Sequence, residues 1–482
     1  MMNKEKTIGW NFDNSYSNLP KSFIYEISPV PVKRPELVIF NHDLADQMGL
    51  NFSNVDSEQL AKMFSGNLLP KGSKSLAQAY AGHQFGHFTM LGDGRAVLLG
   101  EHISKSNQRL DIQFKGSGQT PFSRNGDGRA ALGPMLREYL ISEAMYSLNI
   151  PTTRSLAVVK TGENVIREKP LQGAILTRVA SSHIRVGTFQ FIRTRENLDE
   201  LNTLVNYTIK RHYPEISKSK NNAYDLLSKL IDKQIELVVN WMRVGFIHGV
   251  MNTDNMAISG ETIDYGPCAF MDSYNLGTCF SSIDHMGRYA YGNQPAITKW
   301  NLARFAECLL TLINPKKDDA LKMATELIDK FDKIYEEKWF NMMKSKLGLI
   351  GDDKEDNLII FELLEIMKKQ ELDYTNTFLF LMDHEIDDKK SYQNEEFDNW
   401  KMKWQKRLTK DSKNLMKLNN PVIIPRNHNV ENVLKSAENN DLTPFNDLLQ
   451  ALKNPYTSQK VLTKYQSPPP KSDEKYQTFC GT

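Results

Sequence analysis

Apolar residues recur every three or four positions over several long stretches of the chain, a pattern that predicts amphipathic helices. The longest regular stretch covers residues 222–244. Further helices are predicted over residues 40–48, 57–64, 134–148, 296–312, 316–347, 357–369 and 395–418. Alternating apolar and polar residues predict strands over residues 96–99, 110–115, 155–167 and 171–178. Strands followed by a mainly helical C-terminal part indicate an α+β fold, which an irregular N-terminal region precedes.

Composition narrows the class of protein. The chain has 482 residues, of which 40% are hydrophobic and 24% charged, as in an ordinary globular protein. Its net charge of +2 gives no indication of a nucleic-acid partner. No apolar run approaches the roughly 20 residues that a membrane helix needs, and the N-terminus lacks the apolar core of a signal peptide. We therefore expect a cytoplasmic protein that binds neither nucleic acid nor membrane.

A loop rich in oxygen ligands follows the helix predicted over residues 222–244. A short strand at 256–259, a turn at Ser259 and Gly260, and a return strand at 262–265 are predicted next. This hairpin would bring Asp264 beside Asn255. One carboxylate and one amide oxygen at such a position suit a Mg²⁺ ion that also holds substrate phosphates.

The same loop resembles the metal site of protein kinases, in which an Asn lies seven residues after a His and an Asp-Phe-Gly motif follows. Here Asn255 lies seven residues after His248, and Asp264 opens an Asp-Tyr-Gly motif. Val250 occupies the place of the kinase catalytic Asp, and Asp254 supplies a carboxylate beside Asn255 instead. A surface turn with Asx capping would explain either short match alone, but not the two together with the segments upstream.

Two glycine-rich segments flank the predicted strand that ends at Lys115. Gly92 and Gly94 precede it in a tight turn, and residues 116–129 follow it directly. Glycines let backbone N–H groups approach phosphate oxygens, and a lysine supplies a point charge. The segments are therefore candidate nucleotide contacts, although a hairpin turn and a flexible connection explain them equally well on composition.

For several other charged residues and two histidines, the sequence allows both a functional and a structural role. The helix over 134–148 carries Glu138 and Glu143, and spacing does not decide which of them would pair with Lys115. Arg178 and Arg185 would clamp a polyphosphate, or lie solvated on the surface. The four-residue spacing of His83 and His87 is typical of a zinc pair on a helix, but neighbouring glycines argue against a helix. We expect these histidines to have a structural or partner-contacting role.

Five motifs occur in order between about residues 75 and 430: AYAGHQFG at 79–86, FKGSGQTPFSR at 114–124, HGVMNTDNM at 248–256, IDYGP at 263–267 and IPRNH at 424–428. Together they resemble the selenoprotein O (SelO/YdiU) family. The resemblance implies a two-lobed, protein-kinase-like fold with N- and C-terminal extensions. It also implies that ATP binds in a reversed orientation and that AMP is transferred to Ser, Thr or Tyr hydroxyls of proteins, including the enzyme itself.

The resemblance also implies roles for single residues. It assigns proton acceptance to Asp254, metal ligation to Asn255 and Asp264, and an ion pair to Lys115 and Glu138. The implied contacts to ATP are Gly92, Gly94, Arg95, Lys115, Asp127, Gly128, Arg178, Arg185 and Asp264. The metal would be Mg²⁺ or Mn²⁺. Alternatives are an ordinary kinase-type phosphotransferase, against which Val250 argues, and an inactive ATP-binding module.

The family carries a Cys or selenocysteine third from the end, the place of Cys480 here. The resemblance implies a redox-sensitive disulfide between Cys480 and Cys279, with Cys268 as the alternative partner. The expected division of the chain is an N-terminal extension (1–74), a small lobe (75–180), a large lobe (181–345), a helical extension (346–466) and a tail (467–482).

Overall fold

The computed structural model describes residues 8–457, 463–470 and 476–478. The strands in chain order are β1 (Ile24–Glu26), β2 (Glu36–Phe40), β3 (Leu76–Gln78), β4 (Ala81–Gln84), β5 (His87–Met90), β6 (Ala96–Ile103), β7 (Arg109–Lys115), β8 (Ala130–Ala131), β9 (Arg154–Ile166), β10 (Pro170–Ala180), β11 (Phe246–Ile247) and β12 (Ala269–Phe270). The paired strands run antiparallel, and the main sheet has the order β1-β3-β6-β7-β10-β9-β2, with β8 beside β10.

The helices in chain order are α1 (His42–Met48), α2 (Ser57–Phe64), α3 (Leu132–Ser147), α4 (Val186–Arg193), α5 (Leu198–His212), α6 (Asn222–Val244), α7 (Gln294–Ile313), α8 (Lys317–Leu347), α9 (Asp356–Lys369), α10 (Tyr374–Leu381), α11 (Glu395–Arg407), α12 (Ser412–Asn419), α13 (Asn427–Glu438), α14 (Thr443–Leu452) and α15 (Thr463–Gln466). Helices and strands thus mix as predicted, and the C-terminal part is helical. No helix in the described ranges is long and apolar enough to cross a membrane.

The N-terminal region contributes more to the sheet than the sequence indicated. Strands β1 and β2, which we did not predict, form the two ends of the main sheet. Residues 36–40 (ELVIF) pair with β9 along a mostly apolar run. Short apolar runs of this kind do not distinguish a strand from a helix by periodicity, because they span less than two helical turns.

Helix α3 is enclosed on several sides, which explains its largely apolar sequence. It packs against β9 and β10 on one side and contacts α13 and α14 from the C-terminal part on another. Even Arg137 and Glu138 are buried on it. A helix covered in this way needs apolar residues around most of its circumference, rather than along one stripe.

Helix α6 carries the chain into the candidate site. Apolar residues at helical spacing bury one face of α6 against α7 and α8. Gly245 ends the helix in the left-handed conformation, with φ of 73°, which glycine adopts without steric cost. Strand β11 follows at once and pairs with β12, so the segments on either side of residues 248–268 are held side by side.

Three predicted elements differ from the structure. Residues 256–259 and 262–265 are not regular strands, since the pairing between these two segments is limited to the isolated bridge of Met256 with Thr262. The helix predicted over 395–418 is two helices, α11 and α12. Leu408 between them is extended, and Ser412 Oγ accepts a hydrogen bond from the Thr409 amide at the start of the second helix. This local capping competes with helix continuation.

The IPRNH motif ties the C-terminal part to the segment after β12. Arg426 is 1% exposed and forms ion pairs with Asp272 and Asp373. Asn427 exchanges hydrogen bonds with the backbone of Phe270, with distances of 3.1 and 2.8 Å. The motif therefore fixes β12 in place, and with it the paired strand that leads into residues 248–255.

Candidate functional site

A cavity of about 580 Å³ lies where the main sheet meets the helical part. Eleven residues that the sequence singled out line it: Gly92, Gly94, Arg95, Lys115, Asp127, Gly128, Arg178, Arg185, Asp254, Asn255 and Asp264. Glu138 lies behind Lys115 and lines an adjoining cavity of about 440 Å³. The two cavities share several residues, Lys115 and Asp264 among them. The motifs that are far apart in sequence are therefore brought together in space.

Lys115, Glu138, Arg178 and Asp264 form one buried ion-pair network. Lys115 Nζ, at the end of β7, donates to Glu138 Oε2 on α3 at 2.8 Å and also to Asp264 Oδ1. Arg178, on the neighbouring strand β10, donates to both carboxylates. Each acid thus faces two cations, an arrangement that offsets the burial of Lys115, Glu138 and Arg178, while the Asp264 side chain is 31% exposed.

The structure also distinguishes the two glutamates of α3. Glu143 pairs with Arg154 at 2.7 Å and accepts from Asn41 at 2.8 Å, on a different side of the helix from the cavity. Glu138 is the residue that reaches Lys115. Five residues separate the two glutamates, so they lie on different helix faces.

The network controls the protonation of its acids. Burial raises the pKa of Asp264, but Lys115 and Arg178 outweigh that effect and hold it well below its usual range. Burial also raises the pKa of Glu138, but Arg178 and Lys115 lower it by more, so the pKa lies below its usual value. Both acids are therefore charged at neutral pH.

Asp254 has the opposite environment. It lies in a short 3-10 turn, Thr253–Asn255, and is 7% exposed. Burial raises its pKa to about 6, against which the Arg185 guanidinium acts only in part. Its Oδ1 has no hydrogen-bond partner among the described residues. A buried carboxylate with an unused oxygen is a candidate proton acceptor.

Gly82 explains how the AYAGHQFG motif approaches Asp254 so closely. A Cβ atom at position 82 would lie 2.1 Å from Asp254 Oδ1. That distance is far below any van der Waals contact, so a larger residue would displace either β4 or the carboxylate. Strand β4 is thus one wall of the space around Asp254.

The same hairpin, β4 and β5, holds the loop before Asp254. The His83 amide donates to Thr253 Oγ1 at 2.7 Å, and the Phe85 amide donates to Asn252 Oδ1 at 3.1 Å. Gln190 on α4 bonds both the His83 ring, at 2.8 Å, and the Thr253 hydroxyl, at 2.6 Å. His83 therefore has a structural role in this loop.

Asn255 and Asp264 offer oxygen atoms to the same cavity. The Asn255 amide nitrogen donates to Val250 O at 3.0 Å, which leaves the amide oxygen free to act as a ligand. The ion pairs of Asp264 use its Oδ1 and leave its Oδ2. His248 Nε2 lies 3.0 Å from Ile263 O and links the two loops. No group of three or more His, Cys, Asp or Glu suited to a metal occurs in the described ranges. One carboxylate and one amide fit a Mg²⁺-type ion that keeps waters or phosphates as its remaining ligands.

Several cavity residues were missed or differ from expectation. Tyr80 stacks on Arg185, with the guanidinium carbon 4.2 Å from the ring centroid. Asp127 is paired with Arg167 at 2.8 Å, so its carboxylate orders the glycine-rich segment. Neither Tyr80 nor Arg167 belonged to the predicted site. Tyr80 does lie in a motif that carried the resemblance, whereas Arg167 had no such signal.

The cysteines differ in accessibility. Cys268 is buried, which raises its thiol pKa to about 12. Cys279 is half-buried, and its Sγ donates to Asp284 Oδ2 at 3.3 Å. Cys480 lies outside the described residues. Thr478 forms a parallel bridge with Ser281, two residues after Cys279.

A family model and several similar proteins all assign the chain to the same family. Residues 6–453 match the model of the family described as protein adenylyltransferase SelO. The chain is 64% identical to the protein nucleotidyltransferase YdiU of Pelagibacter ubique, covering 99% of this chain and 100% of that protein. It is 55% identical to the proteins of the same name from Nitrosococcus oceani and Clostridium perfringens, covering 99% and 100% of this chain and 99% of each of those proteins.

These matches describe enzymes that transfer part of a nucleotide to an acceptor. The chain belongs to the SelO family of protein adenylyltransferases. The resemblance inferred from the five motifs is therefore confirmed at the level of the family.

Proposed function

We propose that this enzyme transfers AMP from ATP to Ser, Thr or Tyr hydroxyls of cytoplasmic proteins, including itself, and releases pyrophosphate. The observation that carries the proposal is that one cavity is lined both by Asp254, which forms no ion pair among the described residues, and by three cationic side chains. Asp254 lines the same cavity as Lys115, Arg178 and Arg185. Val250 lies where a kinase has its catalytic Asp.

The proposed architecture is a two-lobed, kinase-like fold. The main sheet with α3 would be the small lobe, and the helical part beginning near residue 181 the large lobe. Support comes from the ion pair of Lys115 on β7 with Glu138 on α3, because the kinase small lobe uses a Lys and Glu on corresponding elements. We also propose that three segments lie outside the two lobes: an N-terminal extension (1–74), a helical C-terminal extension (346–466) and a tail (467–482).

ATP would bind in the reversed orientation. Its β- and γ-phosphates would face Lys115, Arg178 and Arg185, which carry the positive charge that a leaving pyrophosphate needs. The further contacts to the nucleotide would be Gly92, Gly94, Arg95, Asp127, Gly128 and Asp264. Gly128 packs closely on the backbone of the same segment, since a Cβ there would lie 2.2 Å from the carbonyl group of Gly118.

Asn255 and Asp264 would hold Mg²⁺ or Mn²⁺. The bound ion would supply charge neutralisation between the phosphates. The chain's own contribution is to hold the Asp264 carboxylate ionised, which Lys115 and Arg178 do by lowering its pKa. These two cations also hold the side chain through its Oδ1, so that Oδ2 would be available as a ligand.

Asp254 would accept the proton of the acceptor hydroxyl. The hydroxyl oxygen attacks the α-phosphorus, and the bond between that phosphorus and the oxygen bridging to the β-phosphate breaks. The proton passes to Asp254, and the bridging oxygen leaves with pyrophosphate. With a pKa of about 6, Asp254 is mostly ionised at pH 7 yet basic enough to take a proton.

Redox control through Cys480 is a further part of the proposal. A two-electron oxidant such as a peroxide would join Cys480 to Cys279, or alternatively to Cys268, with loss of both thiol hydrogens. The partial exposure of Cys279 supports the first pairing, because Cys268 is fully buried. Peptide mapping of oxidised and reduced protein should find the Cys279–Cys480 crosslink; its absence after oxidation would remove this part.

The transfer reaction is tested with ATP labelled at either the α- or the γ-phosphate. Purified enzyme, Mg²⁺ and a bacterial lysate should give protein-bound label from the α position alone, because AMP carries only the α-phosphate. Label from the γ position alone would mean an ordinary phosphotransferase. No label from either position, under reducing conditions and with ATP binding intact, would mean an inactive nucleotide-binding module.

A further inference from the structure

Strand β7 carries a row of buried polar side chains. Polar and apolar residues alternate along residues 109–115 (RLDIQFK), yet Asp111, Gln113 and Lys115 are all buried. Alternate residues of a strand point to the same face of a sheet, so Asp111 shares the face from which Lys115 reaches the candidate site. A buried carboxylate is tolerated only where donors surround it, and the donors to Asp111 connect it to the cavity.

Asp111 holds the segment that leads from β10 to α4. Its Oδ2 accepts from the backbone amide of His183, at 2.8 Å, and from the ring Nδ1 of the same residue, at 3.0 Å. Its Oδ1 accepts from Arg211 on α5, which also donates to the carbonyl oxygen of Ser181 at 2.6 and 3.0 Å. Asp111 and Arg211 together thus fix both ends of residues 181–183.

The protonation states define the contact between Asp111 and His183. Burial raises the pKa of Asp111, but Arg211 and His183 lower it by more, so the carboxylate is ionised at pH 7. Burial lowers the pKa of the His183 ring, which is therefore neutral. An ionised carboxylate can only accept, so the ring hydrogen lies on Nδ1. Since His183 Nε2 has no hydrogen-bond partner among the described residues, the bond to Asp111 is the one that the ring makes there.

The backbone of the same segment orients Arg185, which lines the cavity. Arg185 Nε donates to His183 O at 3.0 Å, and its Nη1 donates to Asp254 O at 3.3 Å. The guanidinium also stacks on the Tyr80 ring. A guanidinium that donates to carbonyl groups takes its position from the backbone that carries them, so the place of Arg185 depends on that of His183.

The residues after His183 are also attached to those after Asp254. The Val186 amide donates to Met256 O, and the Ile258 amide donates to Ile184 O, each at 2.9 Å. A shift of the His183 backbone would therefore move Arg185 and the residues beyond Asp254 together.

We propose that Asp111 is a positioning residue of this enzyme, which acts through His183 to hold Arg185 against the phosphates of ATP. Asp111 does not line the cavity that contains Arg185, so it would not touch the nucleotide itself. Without its bonds to His183, residues 181–185 would shift, and small displacements of a binding group are costly. The inference rests on the proposed function, because it needs Arg185 to contact ATP, and deepens it by naming what aligns that contact.

Asp111 and Glu143 provide a matched pair of variants. Each carboxylate accepts from an arginine and from a backbone amide; for Glu143 these are Arg154 and, at 3.1 Å, Ser155. Glu143 and Arg154 do not line the cavity. Asp111→Asn and Glu143→Gln should both lower the free energy of unfolding in urea, because an amide has one acceptor oxygen instead of two. Only Asp111→Asn should also weaken nucleotide binding, with a Kd about tenfold higher.

Calorimetry measures this Kd in the presence of Mg²⁺. The ligand is the ATP analogue with a methylene group between its α- and β-phosphorus atoms, which cannot lose pyrophosphate and so does not react during the titration. A Kd in Asp111→Asn equal to that of wild-type enzyme would overturn the proposal, as would an equal rise in Glu143→Gln.

Variants of His183 test the route of the effect and leave the buried carboxylate in place. His183→Asn offers an amide nitrogen near the position of Nδ1 and can keep the bond to Asp111, whereas His183→Leu has no such donor. The Kd of His183→Asn should stay within about twofold of wild type, and that of His183→Leu should rise about threefold or more. Equal Kd values in the two variants would contradict action through His183. This pair decides the question even if Asp111→Asn does not fold.

A double-mutant cycle tests whether the effect reaches the nucleotide through Arg185. Arg185→Ala should raise the Kd about tenfold or more, since it removes a contact to the phosphates. Adding His183→Leu to Arg185→Ala should then have no further effect, because the side chain that it would misplace is absent. A further loss as large as in the wild-type background would overturn the proposal.

The two levels of inference fail in different ways. If Arg185→Ala leaves the Kd unchanged, the proposed nucleotide contact is wrong and the positioning role falls with it. If Arg185→Ala weakens binding and wild-type enzyme transfers label from the α-phosphate, but Asp111→Asn and His183→Leu bind as wild type does, the proposed function stands and the positioning role is wrong.

Discussion

Asp254 and Asp264 lie ten residues apart, line one cavity, and have opposite electrostatic environments. Asp264 contacts Lys115 and Arg178, which hold its pKa well below the usual range. Asp254 forms no ion pair within the described part of the chain, and burial raises its pKa to about 6. Both the neighbours and the exposure of the two carboxylates differ, since the Asp264 side chain is 31% exposed and Asp254 is 7% exposed.

This contrast separates two kinds of chemistry. A carboxylate with a lowered pKa stays charged and suits the binding of a cation, whereas one with a raised pKa can exchange a proton near neutral pH. The hairpin that covers Asp254 and the strands that carry Lys115 and Arg178 come from different sequence motifs. In the proposed mechanism, metal binding and proton acceptance would thus be divided between two acids, each with its own surroundings.

The largest expected effect is at Asp264. Asp264→Ala should lower AMP transfer about a thousandfold or more, because a metal's charge stabilisation is worth several kcal/mol. Steady-state labelling from α-labelled ATP measures the effect. Asp264 has φ of 67°, a conformation that Asn tolerates and Ala does not, so Asp264→Asn controls for backbone strain. Near-normal transfer in both variants would exclude Asp264 as a metal ligand.

The next largest effect is at Asp254. Asp254→Asn should lower the rate of transfer by about 10² to 10⁴, the usual contribution of a general base, with ATP binding retained. Single-turnover labelling at saturating ATP separates the chemical step from binding. If the variant transferred AMP at the wild-type rate but bound ATP weakly, Asp254 would belong to the binding site and not to the proton transfer.

The two glutamates of α3 give a matched pair. Glu138→Gln should lower kcat/KM about a hundredfold, because it weakens the ion pairs that hold Lys115 and Arg178 where we propose that they face the phosphates. Glu143→Gln should leave kcat/KM nearly unchanged, since its partner Arg154 does not line the cavity. Equal losses in the two variants would show that α3 acts through stability alone.

Replacing Asp254 or Asp264 by Asn should change the free energy of unfolding in opposite directions. The folded-state pKa of Asp254 is raised from 3.8 to about 6, so its carboxylate costs stability increasingly between these values and fully above them. Asp254→Asn should therefore raise the free energy of unfolding at pH 7, by on the order of 3 kcal/mol. For Asp264 the pKa is lowered, so its contribution is present above the unfolded pKa and lost as pH falls.

Urea unfolding at pH 7 measures both changes. Asp264→Asn should lower the free energy of unfolding, because Lys115 and Arg178 then lose a carboxylate partner. A stability gain in both variants, or a loss in both, would contradict the assigned environments of the two acids.

Many of the residues that line the cavity could be singled out from the sequence, because they lie in motifs with characteristic spacing. Lys115, Asp254, Asn255 and Asp264 all line one cavity as expected. Spacing did not decide between Glu138 and Glu143, since the answer depends on how α3 is rotated against the sheet. The resemblance indicated Glu138, which agrees with the ion pair in the structure.

Other features depend on contacts that a single sequence does not reveal. Strands β1 and β2 are short, and their pairing with distant strands determines them more than their own residues do. The role of His83 arises from bonds to Thr253 and Gln190, which lie more than 100 residues away. Arg167 enters the cavity from the end of β9, at a position without any local motif.

The pH dependence of AMP transfer tests the contrast between the two acids most directly. We would measure kcat/KM for labelling from α-labelled ATP between about pH 5 and pH 8, in wild-type enzyme and in Asp254→Asn. Since Asp254 must be ionised to accept a proton, wild-type activity should fall as pH drops through about 6, and the residual activity of the variant should lack this step. A step near pH 6 that persists in the variant, or a flat wild-type profile, would contradict the assignment of proton acceptance to Asp254.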